Sequence, residues 1–277
     1  MNKICFYHKA DLDGQCSGAI VKYFDSDVAL YPFDYNDIFP WEEITKDTQV
    51  YMVDISLSTD DMYKLNNMCK ELIYIDHHIS KLKDLDLSQF RGKQVDGTAA
   101  CVLTWEYLIG STIPVGVELL GKYDIWNIYN NVLNYQYGIR TLNLDPNNTK
   151  DWLKYVFHND LLTQTISNGE IILKYVEGAQ EKETNINGFK MIWKGYNVLA
   201  LNKTNGSSLM FKDHPDYYNV DILMVFGWSG KIWKISLYTI KKDIDVSEIA
   251  KSYNGGGHRS AAGFVCDELP FNLKEII

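Results

Sequence analysis

The sequence predicts an α/β protein: an N-terminal, mostly parallel sheet flanked by helices, a helical linker, and a smaller C-terminal α/β domain with a mixed sheet. Three observations carry the prediction. Short apolar runs alternate with helically spaced apolar residues through the first third of the chain, as βαβ units require. Three of those runs end in Asp or His, where open α/β sheets hold their ligands. Further on, alternating strands give way to one helix and a run of three glycines. At about 150 residues per domain, the 277 residues divide into a first domain over 1–165, a helical linker over 166–187 and a second domain over 188–277.

Each element follows from its residues. Lys3 to Tyr7 reads as a short buried strand ending at His8. Gly14 to Phe24 carries Cys16, Ala19, Ile20 and Phe24 at helical spacing. Val28 to Phe33 and Gln49 to Val53 are the next strands, the latter ending at Asp54. Ser58 caps a helix running to about Lys70. Leu72 to Ile75 is a fourth strand and runs into Asp76, His77 and His78. Thr98 to Leu108 and Val115 to Tyr123 read as helices, the second ending beside Asp124, and 145–149 reads as a loop. Ser167 and Asn168 cap a helix with an apolar stripe at Ile171, Ile172, Tyr175, Val176 and Ala179. The polar run from Glu181 to Gly188 reads as the linker after it. Strands follow over Asp221 to Phe226 and Lys231 to Ile240, then a helix from Val246 to Tyr253 leads into Gly255, Gly256, Gly257 and His258.

Composition narrows the function classes. The chain is 46% hydrophobic and 23% charged, as a packed globular protein is. Its net charge of −9 disfavours gripping long duplex nucleic acid, where affinity comes mostly from neutralising phosphates. The acid is uneven: residues 188–277 hold 11 Lys/Arg and 9 Asp/Glu, whereas 1–187 hold 16 and 27. Five widely spaced cysteines without a Cys-x-x-Cys pair argue for a reducing compartment. No apolar run approaches the ~18 residues of a membrane span, and the first residues do not read as a signal peptide. The expectation is a cytoplasmic protein with no membrane partner.

The chemistry-bearing residues sit at strand ends. His8, Asp11 and Asp13 fall at a strand-to-helix junction, where imidazole and carboxylates can converge on a first-row metal. Asp54 alone reads as a cap for the helix at Ser58, and Asp124 before Trp126 is weak by itself. Adjacent histidines after Asp76 at a sheet edge are harder to explain structurally: an acid and two imidazoles can supply a ligand, its orienting partner and a substrate contact. Gly255 to Gly257 let backbone N–H groups approach a phosphate or ribose, with His258 and Arg259 adding charge-assisted contacts. Arg140, after a predicted turn, is a further candidate to reach substrate.

Together these segments resemble the DHH phosphoesterase superfamily. The order is His-x-x-Asp-x-Asp, a strand ending in Asp, Asp-His-His, then an isolated Asp before an aromatic. Residues 245–264, through Gly255-Gly256-Gly257-His258-Arg259, look like the DHH-associated C-terminal domain, so the resemblance spans residues 8 to 264. It implies a site for two divalent metal ions, usually manganese, with magnesium or cobalt as substitutes. His8 and Asp11 would hold one, Asp13, His77 and Asp124 the other, and Asp54 would bridge them. His78 would face substrate phosphate and Asp76 would orient a neighbouring histidine. Where relatives often carry Arg, this chain has Tyr238, which can stack on a base instead.

The resemblance implies a phosphodiesterase or phosphatase acting on short oligonucleotides or small nucleotides, of oligoribonuclease or cyclic dinucleotide phosphodiesterase type. Its partners would be a short oligonucleotide, a cyclic dinucleotide or a bisphosphate nucleotide, with a homodimer left open. Alternatives are a RecJ-like single-strand exonuclease, an inorganic pyrophosphatase or polyphosphatase, and a non-catalytic nucleotide-binding module. The first usually carries extra nucleic-acid-binding domains, the second lacks the glycine-histidine domain, and the third expects lost metal ligands.

Overall fold

The computed structural model describes residues 2–78, 84–129, 131–158 and 160–272. They form two compact units, Met1–Leu173 and Lys174–Ile277. Among the described residues no helix is long and apolar enough to cross a membrane.

The first unit is built on five parallel strands: β1 (Asn2–His8), β2 (Ala29–Phe33), β3 (Thr48–Val53), β4 (Glu71–Asp76) and β5 (Arg91–Gln94), in the order β2-β1-β3-β4-β5. Alternation along the strands sorts two apolar faces. Ile4, Phe6, Val50, Met52, Leu72 and Tyr74 pack on Met62 and Leu65 of helix α2 (Thr59–Met68). Cys5, Tyr7, Tyr51, Val53, Ile73 and Ile75 face the other way, with Val21 of α1 (Leu12–Phe24) and Leu103 of α3 (Ala100–Leu108). Helices α4 (Val115–Asp124), α5 (Val132–Ile139) and α6 (Thr149–Trp152) complete that side around the fully buried Trp152. The chain leaves β1 toward β2, then crosses back to β3 on the opposite flank of β1. Strand order therefore reverses between β1 and β3, the topological switch point at which such sheets open a crevice.

The long helix α7 (Leu162–Asn187) opens before the expected cap at Ser167 and Asn168 and runs unbroken through the polar stretch, so the helical linker expected over 166–187 is part of one continuous helix. The reason lies in the second unit: Glu177 and Glu183 pair with Lys212 and Lys203, and Thr184 bonds the Met210 carbonyl at 2.9 Å. Glu and Lys are good helix formers, so a polar stretch anchored along one flank stays helical.

The second unit carries a mixed six-stranded sheet: β6 (Phe189–Trp193), β7 (Tyr196–Asn202), β8 (Ile222–Trp228), β9 (Trp233–Tyr238), β10 (Gly256–His258) and β11 (Ala261–Cys266). The order is β10-β11-β9-β8-β7-β6, with β7 and β8 parallel and the other pairs antiparallel. Helix α8 (Val246–Lys251), capped by the Asp245 carboxylate, packs on a core of Val198, Met224, Phe226, Ile235 and Phe264.

Candidate metal centre

The carboxyl ends of β1, β3 and β4 converge beside the switch point. β1 delivers His8, and the chain returns at once into α1, whose N-cap Asp11 accepts the Gly14 N–H at 2.9 Å. The return is so tight that a Cβ on Gly14 would lie 2.1 Å from the His8 carbonyl oxygen, which only glycine allows. Asp13, in the first turn, points inward and is almost fully buried. Its two oxygens accept the Ala100 and Cys101 N–H groups at 2.9 and 2.8 Å, at the positive end of α3.

Asp54 follows β3 with a left-handed φ of 59°, a conformation that Asp tolerates better than most residues and that is enriched at functional sites. Its N–H is held by the Ile75 carbonyl at 2.9 Å, so the strand pairing fixes the turn. The carboxylate is 1% exposed, with Oδ2 3.5 Å from His8 Nδ1 and Oδ1 3.4 Å from His77 Nε2. His77 Nε2 also lies 3.2 Å from Asp124 Oδ2, at the end of α4, and 3.7 Å from Asp13 Oδ2.

Asp76 does something different. Fully buried, it accepts the Tyr74 hydroxyl at 2.8 Å, the His77 and His78 N–H groups at 2.7 and 3.0 Å, and His78 Nδ1 at 3.0 Å. Those bonds shape the Asp-His-His turn. Against burial, His78 and its other donors hold the Asp76 carboxyl below the ordinary carboxylate value. An ionised carboxylate only accepts, so His78 Nδ1 carries the proton and Nε2 is left for a ligand.

The other titratable groups are displaced by unbalanced charge. The Asp11 carboxylate, then Asp54, raise His8 to about 10 despite its burial. Burial pulls His77 down, but Asp54, Asp13 and Asp124 outweigh it and bring it to about 9. Burial and the Asp54 charge push Asp124 up to about 6. Burial, then Asp54 and Asp124, drives Asp13 well above the carboxylate range. Asp11 stays low because His8 and the Gly14 N–H overcome its burial.

Three sets of candidate ligand atoms, each within 4.8 Å, emerge: His8, Asp11 and Asp54; Asp13, His77 and Asp124; and Asp54, Asp76, His77 and His78. Among the described residues, His8 Nδ1, both Asp54 oxygens and His77 Nε2 are buried without a hydrogen bond. Buried polar atoms nearly always have a partner, and these four face one another. Imidazole nitrogen with carboxylate oxygen is a donor set suited to a divalent first-row ion. The residues fit a metal.

Of the remaining candidates, Arg140, Gly255, Gly257, Arg259 and Tyr238 are committed to local contacts. Arg140 caps α5, 5.3 Å from the Tyr123 ring next to Asp124, with its guanidinium within reach of the Gln136 amide oxygen. In the second unit, a Cβ on Gly255 would meet the Gly263 carbonyl at 2.2 Å, and Gly257 combines φ 140° with a contact of 2.5 Å to Ala262 Cα. Gly256 faces open space and His258 is exposed. Arg259 donates to the Lys242 carbonyl at 2.7 Å and lies 3.7 Å from Asp245. Tyr238 donates its hydroxyl to the Gly206 carbonyl at 3.0 Å while its ring packs against a core cluster that includes Met210.

Sequence reasoning missed three neighbours of the site. Asp34 Oδ1 lies 3.8 Å from His8 Nε2, and the Tyr35 ring centroid is 5.8 Å from that of His8. Both follow β2, so a fourth strand end carries an acid, a signal the sequence offered. Gly14 is the third; its role depends on how closely α1 returns over β1, which no spacing reveals.

No family model matches the sequence, and no curated protein matches it. An exopolyphosphatase-related protein from Bacteroides fragilis aligns over 99% of this chain and 88% of its own, at 14% identity and a TM-score of 0.45. A pGpG-specific phosphodiesterase from Vibrio cholerae aligns over 96% of this chain and 94% of its own, at 12% identity and a TM-score of 0.56. At that identity the chain shares a fold with the Vibrio enzyme across both units.

Proposed function

We propose that the protein is a DHH-type phosphoesterase that uses two divalent metal ions, with manganese preferred, to hydrolyse phosphoester bonds of short oligonucleotides, cyclic dinucleotides or bisphosphate nucleotides. The observation that carries this reading is Asp54: each of its two buried oxygens faces a different histidine-carboxylate set, and none of these facing atoms has a hydrogen bond of its own. His8 and Asp11 on one side, and Asp13, His77 and Asp124 on the other, would hold the ions, with Asp54 shared. When bound, the ions supply Lewis-acid activation of water and neutralise charge on the phosphate.

The chain's own side chains set up the rest. Asp76 fixes the His78 ring through Nδ1, so Nε2 faces the site in one orientation and would donate to a phosphate oxygen when it too carries a proton. The α3 N–H groups hold Asp13 facing inward. Four carboxylates held this close repel one another, which makes the site avid for cations and hostile to a bare anion. The fold shared with a phosphodiesterase supports the reaction class, and the net acidity favours small substrates over long strands. In the second unit, Gly256 and His258 are the free positions for a terminal phosphate or ribose.

The test is one panel with manganese, magnesium or cobalt: RNA and DNA dimers to pentamers, long single strands, cyclic dinucleotides, a 3′,5′-bisphosphate nucleotide and pyrophosphate. Metal-dependent turnover of the short nucleotides, abolished by chelation, is the expected result. Turnover of pyrophosphate alone would transfer the site to a pyrophosphatase, and no turnover with any metal would leave a binding module.

A further inference from the structure

One nitrogen of His8 faces the Asp54 cluster, and the other faces a different acid. His8 Nδ1 is buried, makes no hydrogen bond, and lies 3.1 Å from Asp11 Oδ2 and 3.5 Å from Asp54 Oδ2. Nε2, on the far edge of the ring, lies 3.8 Å from Asp34 Oδ1. Among the described residues no other carboxylate pairs with that nitrogen.

Strand pairing puts Asp34 there. β1 and β2 run parallel with His8 opposite Phe33, and the Lys9 N–H continues the ladder by donating to the Phe33 carbonyl at 3.1 Å. Asp34 therefore leaves β2 alongside His8. Its carboxylate is one-third exposed but braced. Oδ1 accepts the Tyr35 N–H at 2.7 Å, and the Asp34 N–H donates to Asp37 Oδ2 at 2.9 Å. Lys9 Nζ donates to the same Asp37 oxygen at 2.6 Å. The Tyr35 ring makes a T-shaped contact with His8, centroids 5.8 Å apart. A brace running Lys9, Asp37, Asp34 thus ends at His8 Nε2.

We infer that Asp34 is a positioning residue of the metal centre: it takes the Nε2–H of His8, so that Nδ1 is presented without a proton to a divalent ion. The inference rests on the metal reading of the site and adds which nitrogen of His8 binds and what fixes it. A neutral imidazole has one proton for two nitrogens, so an ion at Nδ1 requires the proton at Nε2. A ligating histidine almost always gives that second N–H to a carboxylate, a carbonyl or water. The 3.8 Å separation is an ion-pair distance, longer than a hydrogen bond; hydrogen bonds of catalytic sites are often long until the site is filled. The centre already uses this arrangement once, where Asp76 holds His78 Nδ1 at 3.0 Å.

Manganese binding to the full chain, read by calorimetry, decides the proposal independently of catalysis. Asp34→Ala should bind manganese about 10- to 100-fold more weakly, the usual cost of losing such a partner. Asp34→Asn keeps a carbonyl oxygen for the Nε2–H and should recover most of that loss. A carboxylate that merely attracted cations would lose as much in Asn as in Ala. Lys9→Met separates the two by sign. Removing a cation near the site tightens manganese by charge alone, whereas releasing Asp37 and Asp34 weakens it, and weaker binding is expected. A fourth measurement needs no variant: in the zinc-loaded, diamagnetic wild type, the nitrogen shifts of the His8 ring should show Nδ1 bound and Nε2 protonated. Wild-type affinity in Asp34→Ala, equal losses in Asn and Ala, tighter binding in Lys9→Met, or zinc at Nε2 would each overturn the role of Asp34 and leave the metal centre standing. A wild type that binds no manganese removes both. The expected binding pattern in a protein that hydrolyses no phosphoester would keep Asp34 as a positioning residue and reject the phosphoesterase reading.

Discussion

The strand ends of the first unit and the glycine run of the second differ in how fully the fold accounts for them. Gly255 and Gly257 permit close contacts with β11, and Arg259 bonds a carbonyl of its own unit. His8, Asp54 and His77, by contrast, leave buried polar atoms that no described residue satisfies. A motif residue whose contacts are complete can be kept for packing alone. One that is buried and unsatisfied costs stability unless something else binds it.

The largest effect expected from this contrast is at Asp54. Asp54→Ala and His77→Ala should lower kcat/KM for phosphoester hydrolysis by at least about a thousandfold, since metal activation supplies several kcal/mol of the barrier. Without metal, above about pH 10 where the raised histidines no longer contribute charge, the same variants should melt no lower than the wild type, because each removes an unsatisfied buried group. A metal-free melting temperature that falls sharply in both would show that these groups stabilise the fold, and the contrast would fail.

Gly14→Ala comes next. A methyl 2.1 Å from the His8 carbonyl forces β1 and α1 apart, and strain of this kind costs about 1–3 kcal/mol. The expected result is a lower melting temperature and at least tenfold weaker manganese binding, read by calorimetry. In the second unit Gly256→Ala meets open space and should leave the melting temperature within a degree or two; an equal loss there would mean that the run is more tightly packed than its contacts indicate.

These positions also mark how far the sequence could be read. The strands ending in His8, Asp54 and Asp76 were legible because apolar runs and residue order are local signals. β5 was not, since Arg91 to Gln94 is a short polar strand at the sheet edge, paired with β4. The anchoring of α7 along its polar run depends on Lys203, Met210 and Lys212, which are distant in sequence. The order of the His and Asp residues that the fold brings together was legible, whereas the partners that orient them, the Tyr74 hydroxyl and the α3 N–H groups, exist only once sheet and helix meet.

Dependence on pH sharpens the contrast further. His8 and His77, raised to about 10 and 9, stabilise the metal-free fold fully below their unfolded value near 6.5. That contribution is lost as pH rises through 9 to 10. Asp124, raised to about 6, acts in the same sense, costing stability as pH climbs past its ordinary 3.8 toward 6. Asp11 and Asp76 are depressed, so their contribution disappears only on acidification below about 4. Metal-free protein should therefore melt progressively lower from pH 5 to 10. Manganese should raise the melting temperature, and increasingly so as pH rises, because binding must displace the protons. Parallel melting curves with and without manganese across that range would sink the metal assignment.

The smallest effect is expected at Tyr238, where two roles predict different patterns. Its hydroxyl bond to the Gly206 carbonyl ties β9 to the turn that precedes Met210, and a neutral hydrogen bond of this kind is worth about 1 kcal/mol net. Tyr238→Phe should therefore lower stability by about that amount and leave hydrolysis within twofold. Tyr238→Ala also removes a half-buried ring and should cost about 3 kcal/mol or more. If the ring instead stacks on a base, Tyr238→Ala should raise KM for dinucleotides well beyond its effect on a base-free phosphodiester, while Tyr238→Phe retains the wild-type KM. The packing seen here favours equal effects on both substrates, because a side chain committed to its own core and to a backbone carbonyl has little freedom to turn toward a ligand. A KM split between the two substrates would place Tyr238 with the unsatisfied strand-end residues of the first unit, as a group whose contacts the fold alone does not complete.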